Sequence, residues 1–289
     1  MPLQYEKTDH AITITGYDGT IRHLDIPEQI DGVPVTQIGK NAFSGRDDLL
    51  DVRLPQTITV LGRYAFYNCK NLRQITLYDG IEDYYDGVIK QCGRLEEVQL
   101  IQQRGDYSVM KELLADNDRK LHFVVQPTGL DLTFPAYVYD FVEDVEARVL
   151  HHKIEGSGYP YRECVTRKGI DLLAYDRLFS QVIHDDYHAA VEIACNRLLH
   201  PVELEAHLRE QYEQYLEQNA PVILQTLISE EKTEALTYLC EACLIPEAAL
   251  PEALQLAAEE KSSQIAAILM AYQGQHFGKK TKEAMTLDW

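Results

Sequence analysis

Between residues 39 and 100 the apolar positions of the chain return every 23 residues. Gly39, Ala42 and Phe43 recur as Gly62, Ala65 and Phe66, and the same step carries Leu49 to Leu72 to Leu95, Val52 to Ile75 to Val98, and Leu54 to Leu77 to Leu100. A fixed period in the twenties predicts a solenoid, because each unit is too small to bury its own apolar face and must stack on its neighbours. Within the unit, Leu-x-x-Val-x-Leu alternates as a short strand, with Val52 and Leu54 inward and Pro55 as the strand stop. The Ala-Phe pair predicts a helical turn packed on the other side.

Before the repeats, residues 11–38 alternate and turn, which predicts short strands capping the open end of the solenoid. After two good copies the unit degrades: Tyr84 stands where Ile38 and Leu61 stood, and Ile89 replaces phenylalanine. Adding 23 to Val98 and Leu100 gives Leu121 and Phe123, with a helical segment over Tyr107–Ala115 between. This predicts a fourth rung in which a helix replaces the Ala-Phe turn. The outward strand positions then form two columns, Asp51, Gln74, Glu97 and Lys120 beside Arg53, Thr76, Gln99 and His122, spaced about 4.8 Å per rung. These eight residues are the candidate partner-binding set. They also fit an ordinary solvated face, which every solenoid has.

The unit Leu-x-x-Val-x-Leu-Pro-x-x-Val-x-x-Ile-Gly-x-x-Ala-Phe-x-x-Cys is that of the BspA-type leucine-rich repeats, and Leu49 through Cys69 resembles it nearly position for position. The resemblance covers about residues 20–100. It implies a right-handed repeat solenoid and, for secreted relatives, adhesion or binding of host proteins.

A second periodicity begins near residue 171. Ala190, Val191, Ala194, Cys195, Leu198 and Leu199 form one helical stripe, and adding 45 gives Ala235, Leu236, Leu239, Cys240, Cys243 and Leu244. Pro201 maps to Pro246, each placed to start the next helix. A third copy runs through Ile265, Ile268, Leu269 and Tyr272. This predicts stacked helix pairs, loosely similar to ankyrin or HEAT-type arrays. It also bears on Cys240-x-x-Cys243: both positions belong to an apolar stripe that accepts leucine one copy earlier, so buried structural thiols are expected rather than a redox pair opening a helix.

Four segments result: a capped leucine-rich-repeat solenoid over 1–125, an α/β junction over 126–170, a helical-repeat region over 171–278 and a tail over 279–289. The fold class is α+β. The junction holds the densest set of reactive side chains, and its pattern predicts two strands around a Gly-Ser-Gly turn. His151, His152 and Cys164 can contribute to a metal site, and Tyr159, Tyr161 and Arg162 to a pocket for a small anion. Adjacent histidines on a strand point to opposite faces, and zinc wants three or four ligands, so a structural hairpin is the competing reading. Arg104-Gly105-Asp106 matches an integrin-binding tripeptide, while Asp106 also stands where a carboxylate caps a helix. Neither the glycines of the junction nor Gly278-Lys279-Lys280-Thr281 satisfies a phosphate-loop spacing.

Charge narrows the function. A formal net charge of -19 repels phosphate backbones and anionic lipid, so nucleic acid and membrane are not expected as partners. The first residues carry no basic-then-apolar leader and no stretch approaches 18 apolar residues, which predicts a cytoplasmic protein. Six cysteines in mostly apolar patterns predict free thiols. The expected function is a scaffold or interaction module that binds a protein partner through the repeat surfaces, without catalysis, cofactor or metal. The alternatives are an enzyme or metal protein with its site at residues 148–165, and a bacterial surface adhesin.

Overall fold

The structure, a computed structural model, describes residues 2–144 and 149–277. Its first thirteen elements are β1 (Leu3–Lys7), β2 (Ile12–Tyr17), β3 (His23–Asp25), β4 (Gln29–Ile30), β5 (Val33–Ile38), β6 (Asp51–Arg53), β7 (Val60–Leu61), β8 (Gln74–Tyr78), β9 (Asp83–Tyr84), β10 (Glu97–Ile101), α1 (Ser108–Asp116), β11 (Leu121–Gln126) and β12 (Leu130–Phe134). The chain visits two sheets in turn. One runs β1-β2-β5-β7-β9 with β4 paired to β5, and the other runs β12-β11-β10-β8-β6-β3. Successive rungs pair in parallel, and the antiparallel strands β1 and β12 each close one end of their sheet. The cap expected over residues 11–38 is therefore supplied by β1, while β2 and β3 enter different sheets.

Each inward position meets its counterpart one rung away. Leu24, Val52, Ile75, Val98, Phe123 and Leu132 stand in register across the second sheet and are all buried. On the other side, Phe43 and Phe66 stack with ring centroids 5.3 Å apart and planes 4° from parallel, and buried Ile89 comes next. The Cys69 and Cys92 thiols donate to the carbonyls of Phe43 and Phe66, both at 3.1 Å, which ties each turn to the one before it.

The turns themselves repeat in backbone angle. Asn41, Tyr64 and Gly87, 23 residues apart, all have positive φ (58°, 60° and 74°), as do Gly45, Asn68 and Gln91 (72°, 57° and 65°). Asparagine and glycine suit that region; the tyrosine does not, and it is held there by its neighbours. Gly87 must be glycine for a second reason, since a Cβ there would meet the Tyr64 ring at 2.4 Å. At Gly62 the reason is a close approach of backbone to backbone: a Cβ would lie 2.7 Å from the carbonyl carbon of Gly39.

The fourth rung differs from the expectation by two residues. Glu97 pairs with His122 and Val98 with Phe123, a step of 25, because α1 makes a longer crossover than the turn it replaces. An even offset keeps inward positions inward, so the buried set is the expected one, but the outward columns change membership.

The remaining elements of the first compact unit, Met1–Glu205, are β13 (Val138–Asp144), β14 (Val149–Glu155), α2 (Gly158–Glu163), β15 (Val165–Thr166), β16 (Gly169–Ile170), α3 (Leu172–Arg177), α4 (Phe179–Asp185) and α5 (Tyr187–Leu199). Strand β14 pairs with β13 rather than with the segment after Gly158. Residues 158–163, expected as the second strand of a hairpin, form α2 instead. Gly158 decides this locally: a Cβ would sit 2.2 Å from the Pro135 carbonyl oxygen, so the chain enters the helix against backbone.

The second unit, Ala206–Trp289, is helical where described: α6 (Ala206–Gln218), α7 (Ala220–Ser229), α8 (Thr233–Glu241), a 3-10 turn at Glu247–Ala249, α9 (Leu250–Glu259) and α10 (Ser263–His276). Proline stands in the first turn of α7 and of α9, where its missing N–H costs nothing. Neighbouring helices pack as α7 on α8 and α9, and α10 on α8 and α9. The apolar stripe holds for Ala235, Leu236, Leu239 and Cys240, which are buried. Cys243 departs from expectation. Helix α8 ends at Glu241, so residue 243 has left the stripe; it has φ 55° and is exposed.

Candidate functional site

The outward face of the second sheet gathers six of the eight candidate residues as expected. In its observed register, one column reads His23, Asp51, Gln74, Glu97, His122 and Thr133, and the next reads Asp25, Arg53, Thr76, Gln99, Val124 and Asp131. His122 thus belongs to the first column, opposite Glu97, and Lys120 to neither. Lys120 precedes β11 and pairs with Glu192 of α5. The cause is the two residues added by the α1 crossover. His23, Asp25 and Asp131, which share this face, went unnoticed in the sequence: the repeat fades at both ends, so counting by 23 does not reach them.

The face is laced laterally. His23 pairs with Asp51 and His122 with Asp131, while His200 lies 3.8 Å from the other Asp131 oxygen. At the centre, Gln74 and Gln99 both donate to Glu97 Oε1, at 2.6 and 2.8 Å, and Thr76 donates to Gln99 at 3.4 Å. Those bonds fix the Glu97 carboxylate in one orientation. Arg53 and Asp25 stay exposed.

Two carboxylates that no periodicity announces, buried Asp79 and half-buried Asp116, hold turns of the solenoid. Asp79 accepts the amides of Gln103, Arg104 and Asp106 at 2.8, 2.8 and 3.2 Å, which pins the Arg104-Gly105-Asp106 loop. Asp106 in turn accepts the amide of Ser108, the first residue of α1, at 2.6 Å. The tripeptide lines a cleft of about 590 Å³ in which Arg104 pairs with Glu82 and Arg167 with Glu112, with Lys168 also in the lining. Asp116 does for the third turn what a further rung does for the first two. Phe43 and Phe66 donate their amides to carbonyls of the next turn, Ala65 and Val88; Ile89 and Gly87, with no such turn beyond them, donate to the Asp116 carboxylate at 3.4 and 3.2 Å. Tyr84, the residue that broke the repeat pattern, adds its hydroxyl to Asp116 at 2.7 Å. Burial pushes the Asp116 carboxyl above its ordinary range against the lowering effect of these donors.

The junction residues are built into the core rather than around a pocket. Arg162 spends all five guanidinium N–H groups on backbone carbonyls: Leu114, Pro135, Gly158, Asn117 and Arg119. With Tyr137 against its face at 4.8 Å, it has no donor left for an anion. Burial brings it down to about 10, so it stays charged at neutral pH. Tyr161 is fully buried against Tyr175, and Cys164 is buried, its thiol pushed up to about 11 by desolvation. Tyr159 is half-exposed, in edge contact with Tyr137. His151 and His152 stand on β14 opposite Val142 and Phe141, and their side chains lie outside the described part of the structure. Among the described residues no group of three His, Cys, Asp or Glu is placed to hold a metal ion. No described helix is long and apolar enough to cross a membrane.

Residues 18–112 match the family model of the BspA type leucine rich repeat region, in six copies. No protein of curated function matches the chain. Among solved structures, similarity extends to a leucine rich repeat protein of T. pallidum (22% identity over 34% of this chain and 69% of that one, TM-score 0.25). It extends also to a leucine rich cell surface protein of Faecalibacterium prausnitzii (25% identity, 43% and 28%, TM-score 0.26) and a leucine-rich repeat protein of Bacteroides capillosus (25%, 34% and 77%, TM-score 0.26). The matched part spans little more than a quarter of the F. prausnitzii protein.

Proposed function

We propose that a BspA-type leucine-rich repeat region is this chain's interaction module, and that it binds a protein partner through the outward face of the second sheet. The observation that supports this most is the fixed, laterally bonded set of Gln74, Glu97 and Gln99 at the centre of that face. Side chains already held by their neighbours lose little rotamer freedom on binding, which is what a recognition surface requires. A solenoid offers such a surface without a pocket. The competing reading, a catalytic or metal site at the junction, has to work with an arginine whose donors are all engaged and a tyrosine and cysteine that are buried.

Site-specific photo-crosslinking tests the reading. A benzophenone side chain in place of Gln99 should yield a discrete adduct in a lysate of the native cell, and the same group in place of Tyr159 should not. Adducts at Tyr159 alone would move the binding surface to the junction.

A further inference from the structure

We infer that the outward face of the second sheet takes an extended polypeptide bearing lysine or arginine, with Glu97 as its central anchor. This rests on the reading of that face as the binding surface and names the chemistry of what it binds.

Four carboxylates share the face, Asp25, Asp51, Glu97 and Asp131, against one guanidinium, Arg53. The second cation expected there, Lys120, is in neither column and is neutralised by Glu192, whose other oxygen accepts from Thr133 at the β12 end of the face. Asp51 and Asp131 each pair with a histidine, whereas Glu97 is held by the uncharged amides of Gln74 and Gln99, so its negative charge has no paired cation among the described residues. Glu97 sits between the two ends with its two oxygens in different surroundings. Both amide donors converge on Oε1, and none of the described residues donates to Oε2. A carboxylate clamped on one oxygen and open on the other presents a single oriented acceptor, which suits an ammonium group or one arm of a guanidinium.

The same face also provides for the stem of such a side chain. Tyr78 and Ile101 stand in register one step further along β8 and β10, outward and half-buried, beside half-buried Val124 of β11. Lysine and arginine lay their methylenes on apolar surface of this kind while the charged head reaches a carboxylate. A flexible acidic tail or a nucleic acid meets the opposite, a field of its own sign. The extended form of the partner comes from the shape of the face, which runs over the five strands β3, β6, β8, β10 and β11 spaced about 4.8 Å apart, while at β12 the outward Thr133 is buried under Glu192 and Asn196 of α5.

The test uses the whole chain and a fluorescent ten-residue peptide of alternating Lys and Ser, with a Glu-Ser peptide of the same length beside it. Fluorescence anisotropy should show the Lys peptide binding and the Glu peptide not binding. Glu97→Gln, which keeps the shape of the side chain, should weaken the Lys peptide about tenfold. Glu252→Gln, an equal loss of charge at an exposed position of α9, should leave affinity within about twofold. Equal weakening by both variants means attraction to net charge alone and overturns the proposal, as does a Lys peptide that fails to bind wild type. If that peptide fails while the Gln99 crosslinker still captures a partner, the face remains the binding surface and only its assigned chemistry falls. If neither binds, both fall.

Discussion

The turns between β3 and β9 and the segment from α1 to α5 solve one problem in two ways. In the turns, backbone amides and apolar side chains meet their own counterparts a rung away: the Phe43–Phe66 stack, the thiols of Cys69 and Cys92 on the preceding phenylalanine carbonyls, the amide of Phe66 on Val88. Past α1 no counterpart arrives, and single polar side chains, half-buried or buried, take over. Asp116 receives the amides that a further turn would receive, Arg162 collects five carbonyls from three segments, and Arg197 forms a bidentate pair with Asp176 at 2.7 and 2.8 Å with both residues essentially inaccessible. Repetition can be extended or shortened by whole units at modest cost, because stability is a sum of like interfaces. The closing segment has no such tolerance, since a buried polar group that loses its partner carries the full desolvation penalty.

The largest effects should come where that asymmetry is sharpest. Arg197→Ala strips the buried Asp176 carboxylate of its guanidinium and should cost about 3–5 kcal/mol in urea unfolding, whereas replacing Arg197 and Asp176 together by Met and Leu should restore most of it. If the single and double replacements are equally damaging, the pair is not the source of the loss. In the turns, Phe43→Ala or Phe66→Ala should each cost about 3–5 kcal/mol through the cavity left behind. Their effects should not add, because the rings touch. Strict additivity would mean that the rungs do not rest on one another.

A smaller, pH-dependent effect separates the two regions at their seam. Burial raises the Asp116 carboxyl, so the native chain holds that proton more tightly than the unfolded chain, whose value is about 3.9. The contribution of this group is complete below about pH 4 and is lost as pH rises through the raised value. Asp116→Asn should cost about 1–2 kcal/mol at pH 4 through weakened acceptance of the Gly87 and Ile89 amides. Wild type should then lose ground relative to the variant as pH rises towards 7. A gap that widens in the other direction would mean that the charged form is the one favoured in the fold.

The same contrast governs how far each region was legible. The 23-residue step exposed the rungs, their inward residues and their turns, because identical environments select like residues at each copy. It misplaced Lys120 and His122, because the longer α1 crossover adds two residues and periodic counting cannot register an insertion that preserves alternation. Residues 158–163 read as a strand but form a helix, since a Gly-Ser-Gly turn marks a change of direction and not the type of element after it. Asp79 and Asp116 gave no signal at all, and Arg162 stood out only as a candidate anion ligand: each acts once, on backbone atoms whose identity the sequence does not display. The one cue was negative, Tyr84 in an aliphatic position, and the structure accounts for it by the bond to Asp116.

The smallest effect costs no stability. Cys243 stands past the end of α8 with its sulfur 3.8 Å from His276 Nδ1, while the other five thiols are buried. Brief alkylation under native conditions, read by peptide mass, should label Cys243 first and Cys240 only on unfolding. Equal labelling of the two would return Cys243 to the apolar stripe.

Which side chains form the face depends on one register, that of β10 against β11, and paired cysteines read it directly. In a Cys243→Ser background, Glu97→Cys with His122→Cys should form a disulfide under mild oxidation, since neighbours in register on adjacent strands need only a small adjustment to bring their Cβ atoms to the roughly 4 Å that the bond takes. Glu97→Cys with Lys120→Cys should not. Cross-linking of the second pair in preference to the first would restore the unbroken 23-residue step and place Lys120 beside Glu97, giving that carboxylate the cation that the binding account assigns to a partner.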